Sequence, residues 1–112
     1  MTLDGAADSA TNRFDLAEND LYLFEIQLVA TRTDVHGHYK AWELVGCIER
    51  TGATTALFGA VTSTIIADTG EVWTIAVTAN DANDHLAITV TGAAGETIYW
   101  VATARMTKVR AV

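Results

Sequence analysis

The sequence predicts an all-β protein: an antiparallel β-sandwich, jelly-roll-like in its wiring, with about seven strands and no significant helix. Three observations carry this. Successive short runs alternate apolar and polar side chains with the period of two that puts one strand face inward and the other outward. Clusters rich in Gly, Asn and Asp (AEND, DVHGH, TGATT, DTGE, NDAND, GAAGE) separate the runs and supply turns in a chain that has no proline. No segment repeats its apolar residues at helical spacing. Many short strands punctuated by turns select two packed antiparallel sheets.

Taken in order, residues 1–12 are small and polar without periodicity and read as an N-terminal arm or irregular segment, followed by one β-sandwich domain over residues 13–112. RFDLA (13–17) is a short strand candidate with Phe14 and Leu16 on one side. LYLFEIQLVATRT (21–33) is a long strand: Tyr22, Phe24, Ile26, Leu28 and Ala30 face the core, and Glu25, Gln27 and Thr31 face outward. After DVHGH, YKAWELVGCIER (39–50) sets Trp42, Leu44, Gly46 and Ile48 against Ala41, Glu43, Val45, Cys47 and Glu49, so the two strands make a hairpin. In ALFGAVTSTIIAD (56–68) Gly59 interrupts the apolar series, which predicts a bulge and a kinked strand.

The stretch from Val72 to Val109 then reads as a three-stranded meander. Its inward parity holds Trp73, Ile75, Val77 and Ala79, then Leu86, Ile88 and Val90, then Ile98, Trp100, Ala102, Ala104 and Met106. The outward parity is unusually apolar: Val29, Ala41, Val45, Val72, Ala76, Ala87, Val101 and Val109 stand where a solvated sheet carries charge. A second burying surface, most simply another copy of the chain, accounts for this. The sequence therefore predicts a homo-oligomer, with Val29, Val45 and Val101 among the interaction residues.

Composition excludes several classes. With 112 residues, half of them hydrophobic and 19% charged, the chain is long enough for one core and is not disordered. Its apolar runs are too short and too interrupted to span a bilayer as helices, and no basic segment followed by an apolar stretch opens the chain, so synthesis in the cytosol without a membrane association is expected. A formal charge of −7 with no Lys/Arg cluster argues against nucleic acid as a partner. Cys47 has no second cysteine to pair with and reads as a small buried hydrophobe.

Reaction chemistry finds little to stand on. Asp34, His36 and His38 share one Gly-containing loop and are the best metal-ligand candidates, since two imidazoles and a carboxylate can complete a three-ligand site; a polar hairpin tip uses the same residues. His85, after NDAND, reads as a turn-edge residue, and the Asn and Asp of NDAND serve the turn rather than calcium, since the spacing of a helix–loop–helix calcium loop is missing. Ser9 and Ser63 are the two serines, and neither lies in a nucleophile elbow. Glu43 and Glu49 share a parity but stand about 20 Å apart along a strand, too far for joint acid–base work. No enzyme activity and no cofactor is expected. The three tryptophans fall on the core parity, leaving Tyr39 and Tyr99 as the surface aromatics that could stack on a sugar or meet a partner.

In order, ATRTD (30–34), AWELVGCIER (41–50), TTALFGAVTSTIIAD (54–68), WTIAVTAN (73–80) and LAITVTGAAGETIYWVATARMTKV (86–109) resemble a β-sandwich module of tailed-bacteriophage virion proteins. The likeness covers most of residues 21–109 and lies in the order of the segments. A basic residue would be expected at Tyr99 and an acidic or amide-rich tip at VHGH, so surface recognition there is private to this chain. The resemblance implies a virion part, often trimeric, with no catalytic residue. Within that class, a free-standing chain of this size suits a homotrimeric capsid decoration (cement) protein that contacts the major capsid protein. The alternatives are a receptor-binding tail-fibre domain that reads a host surface glycan and, outside the class, a carbohydrate-binding module.

Overall fold

A computed structural model describes residues 2–5 and 12–110. It is all-β: eight antiparallel strands in two sheets, consistent with a β-sandwich, and no helix among the described residues. The strands are β1 (Thr2–Leu3), β2 (Arg13–Asp15), β3 (Asp20–Arg32), β4 (Tyr39–Thr51), β5 (Thr54–Asp68), β6 (Thr74–Asn80), β7 (His85–Thr91) and β8 (Ile98–Arg110). A five-stranded sheet has the order β1-β8-β3-β4-β5, and a three-stranded sheet has the order β2-β7-β6.

The alternation in β3 and β4 lands as expected. Tyr22, Phe24, Ile26, Leu28, Ala30, Trp42, Leu44 and Ile48 are buried, and the intervening residues of β3 and β4 face away from the core. The two strands pair without a break from Asp20↔Arg50 to Thr31↔Tyr39, one long hairpin. Gly46 sits on the inward parity because a Cβ there would come within 2.8 Å of the Phe24 ring. Opposite it, β5 is irregular: the register skips between Val45↔Thr62 and Cys47↔Phe58, and Gly59 takes a φ of +79° that favours glycine. The bulge expected at Gly59 is there. A second irregularity, between Ala41↔Ala67 and Trp42↔Ile65, leaves Ile66 unmatched.

The meander is not formed. β6 and β7 make a hairpin in the small sheet, but β8 crosses to the large sheet and pairs with β3. Strand length explains the choice. β8 has 13 residues, which would overrun the seven of β7 but match the 13 of β3 from Asp20↔Arg110 to Arg32↔Ile98. At one end of that ladder the buried Asp20 carboxylate lies 3.3 Å from Arg110 Nε and 3.8 Å from Lys108 Nζ, and it accepts a hydrogen bond from the Tyr22 hydroxyl.

Between the sheets, Trp42 and Trp100 from the large sheet stack at 6.0 Å, and Trp73 meets Trp100 edge-on at the same separation. Leu86, Ile88 and Val90 close the core from the small sheet. Trp73 is fully buried but stands just before β6, at the end of the loop that carries the chain from β5 to the small sheet.

Four further expectations change. The strand count is eight among the described residues, because Thr2 and Leu3 pair with Val101 and Trp100, burying Leu3; that part of segment 1–12 is docked, as is Asn12, which exchanges two hydrogen bonds with the backbone of Asp4, while residues 1 and 6–11 lie outside the described residues. His85 is the buried first residue of β7 rather than a turn edge. Ala87 is buried although its parity is outward, since its methyl sits between Arg13 of β2 and Thr78 of β6 in the middle of the small sheet. Cys47 is only half-buried, because odd-numbered residues of β4 point to the outer face of the large sheet.

Candidate functional site

The outer face of the five-stranded sheet collects the residues that stand out in the sequence. In-register pairing places Tyr99, Thr31 and Tyr39 in one cross-strand row, and Thr2, Val101, Val29, Ala41 and Ala67 in the next. Side chains in such rows stand about 5 Å apart and present one surface. All of them except Thr2 line an open groove of about 320 Å³. Val29, at its centre, is 54% exposed, and Tyr39 and Tyr99 stand on either side at 45% and 49%.

The groove is poor in hydrogen-bonding groups. Lys40 contributes to its wall, but its ammonium turns away to the carbonyls of Glu71 and Trp73 at 3.1 and 3.0 Å. The Tyr99 hydroxyl lies 3.4 Å from Thr2 Oγ1. What remains is aliphatic and aromatic surface, suited to an apolar side chain of another protein. A sugar, with a hydroxyl on nearly every carbon, would leave most of them without partners.

Val45 shares this outer face without joining the groove. It pairs with Glu25 and Thr62, four residues along β4 from Ala41, roughly 13 Å at strand rise. Gln27, Glu43 and Thr103 lie in the row between, and with Glu25 and Arg105 of the Val45 row they line a separate shallow depression in which Arg105 approaches Glu25 to 4.0 Å. Ile66, released by the second irregularity of β5, lines a third depression beside Val29 and Ala41. The outer face is thus apolar at the tyrosine end and charged in its middle.

The metal-ligand candidates do not converge. Asp34 is held by Arg32 through two hydrogen bonds of 2.9 and 2.8 Å. His36 meets the Tyr39 ring edge-on at 6.3 Å, and His38 Nδ1 lies 3.2 Å from both carboxylate oxygens of Glu71 in the neighbouring β5–β6 loop. Each group is committed to a different neighbour, and among the described residues no three His, Cys, Asp or Glu side chains are placed to hold a metal. In NDAND, the Asp81 and Asp84 carboxylates accept hydrogen bonds from the backbone N–H and hydroxyl of Thr55, tying the turn to β5.

The loop end of the sheet carries an electrostatic clamp that the sequence did not suggest. The Arg32 hydrogen bonds hold the Asp34 carboxyl far below the usual carboxylate range. A hydrogen bond from the Thr69 hydroxyl and then His38 lower the Glu71 carboxyl. The amides of Glu71 and Gly70 lower Asp68. Carboxyls with depressed folded-state pKa contribute stability that is complete above their unfolded values and is lost as pH falls through the folded ones. The melting temperature is therefore expected to be flat from neutral pH to about 5 and to fall below about 4. Asp34→Asn should flatten that acid limb while lowering the plateau; an unchanged limb would mean the Arg32–Asp34 pair is not coupled to folding.

The chain matches no protein-family model, and no curated protein matches it.

Proposed function

We propose that this chain is a non-enzymatic structural subunit of a virion surface, a capsid decoration (cement) protein of the tailed-phage type that works as a homo-oligomer. Its place would be the outside of the phage particle, reached after synthesis in the host cytoplasm. One observation supports a structural role above the others: the apolar groove around Val29, Val101, Tyr39 and Tyr99 on a sheet face that has no covering layer among the described residues. An antiparallel sheet that keeps one face in water carries polar side chains there, and a continuous apolar patch marks a protein interface. The virion setting and the major capsid protein as the groove's partner come from the resemblance of the ordered strand segments.

Co-sedimentation with empty heads of the encoding phage tests this. Wild-type protein should pellet with heads, and Val29→Lys, which puts a solvated cation into the groove without touching the core, should lower the bound fraction at least tenfold. Binding of the variant at wild-type level would overturn the groove as the docking face. A second reading, a tail-fibre tip that reads a host surface glycan, rests on stacking of a sugar face against the two exposed tyrosines, with its hydroxyls left to solvent. In that case Tyr39→Ala and Tyr99→Ala should abolish binding to host cells while heads are ignored.

A further inference from the structure

We infer that the outer edge of β5 is a self-pairing seam: two copies join their β5 strands antiparallel about a two-fold axis at Ser63, continuing the five-stranded sheet into a ten-stranded one. The inference rests on the reading of the chain as an oligomer and names the contact that makes it.

β5 is the last strand of the large sheet, and no described strand pairs with its far edge. Its backbone donors and acceptors along that edge form a template for another strand. From Val61 to Asp68 both faces of the strand are largely open, with Ile65 55% and Ile66 62% exposed. Proteins that keep such an edge free guard it with charge, proline or brevity. β5 runs for 15 residues with Asp68, at its end, as its one ionisable side chain, and residues 51–67 are the longest stretch of the chain without Asp, Glu, Lys, Arg or His. By contrast, the far half of β8, beyond the reach of the short β1, carries Arg105, Lys108 and Arg110. One edge of the sheet is guarded by cations, and the other is bare.

Charge selects a second copy as the occupant. Two chains of net charge −7 repel each other, and a contact that brings no carboxylates together adds least to that repulsion; β5 carries none from Thr54 to Ala67. The free edge of β6, the uncharged strand of the small sheet nearest β5, extends it.

The side chains select the register. Opposed residues of an antiparallel pair share a sheet face, so a two-fold relates positions of equal parity. An axis at Ser63 sets Val61 opposite Ile65 of the second copy on the core side and Thr62 opposite Thr64 on the outer side, both favourable cross-strand pairs. It also falls within Thr62–Ile65, the part of β5 that pairs regularly with Val45–Trp42 between the two irregularities.

Light scattering and one cysteine variant test the seam. Wild-type protein should have the mass of two chains. Ser63→Lys, at an exposed position, brings two cations opposite each other across the axis and should halve the mass to one chain, with circular dichroism unchanged. In a Cys47→Ala background, Ser63→Cys should form a covalent dimer on mild oxidation, because directly opposed residues stand about 4.5–5.5 Å apart, within the range a disulfide spans. Asp68→Cys in the same background, roughly 17 Å along the strand from the axis, should not. A wild-type monomer would overturn both the seam and the oligomer reading. A trimer or dimer that survives Ser63→Lys and gives no Ser63→Cys cross-link would overturn the seam and leave the oligomer reading standing.

Discussion

Trp73→Ala is expected to lower the unfolding free energy by about 3–5 kcal/mol, the cost of removing a fully buried aromatic side chain whose surroundings relax only partly. Trp73 has no exposed surface, packs edge-on against Trp100, which itself stacks on Trp42, and donates its indole N–H to Glu96 at 3.1 Å. It is the residue at which the β5–β6 crossover enters the core, so the cavity would open at the joint between the sheets. Trp73→Phe should cost less, about 1–3 kcal/mol, because it keeps most of the ring and loses the hydrogen bond. Urea unfolding followed by far-ultraviolet circular dichroism checks both. A loss under about 1 kcal/mol for the alanine variant would mean that the tryptophan cluster does not hold the sheets together.

Lys40→Met is the second large effect, expected at about 2–4 kcal/mol although the substitution keeps an aliphatic chain of similar length. The Lys40 side chain is 8% exposed, donates to the carbonyls of Glu71 and Trp73, lies 3.5 Å from Asp68 Oδ2, and sits 5.4 Å from the centre of the Trp42 ring. One ammonium thus pins the end of β5 and two points of the loop that leaves it for the small sheet. Methionine would leave two inward carbonyls without their donor and the Asp68 carboxylate without its cation. Stability should fall, and hydrogen exchange at the amides of residues 69–73 should quicken more than elsewhere. Uniform change across the chain would show that Lys40 acts only through global stability.

Both effects sit at the crossover, and the sequence signalled them unequally. Trp73 was legible as a core residue because it shares a parity with Ile75 and Val77. Lys40 was not, since a lysine at an inward position contradicts the alternation until its acceptors, 31 and 33 residues away, are in place. The groove was legible in part: Val29, Tyr39, Tyr99 and Val101 were marked by outward parity, and uninterrupted pairing of β3 with β4 and β8 brings them together. Val45 carried the same signal yet lies away from the groove, because parity gives the face and not the position along it.

The β5 edge was hidden for another reason. Each irregularity shifts the register against β4, so the facing of Phe58, Ile65 and Ile66 cannot be counted from the N-terminal end of the strand. All three prove to be exposed.

By itself the sequence determined the fold class, seven of the eight described strands and the inward face of the long hairpin, because period-two alternation and turn chemistry are local properties that a chain states residue by residue. Only the tertiary structure decided that β8 leaves β7 for β3, that Thr2 and Leu3 add a strand, that Cys47 faces outward, and that Asp34, His36 and His38 go separate ways. Those outcomes turn on matched strand lengths and on partners far apart in the chain, and the energies that settle them exist only when both partners are in place.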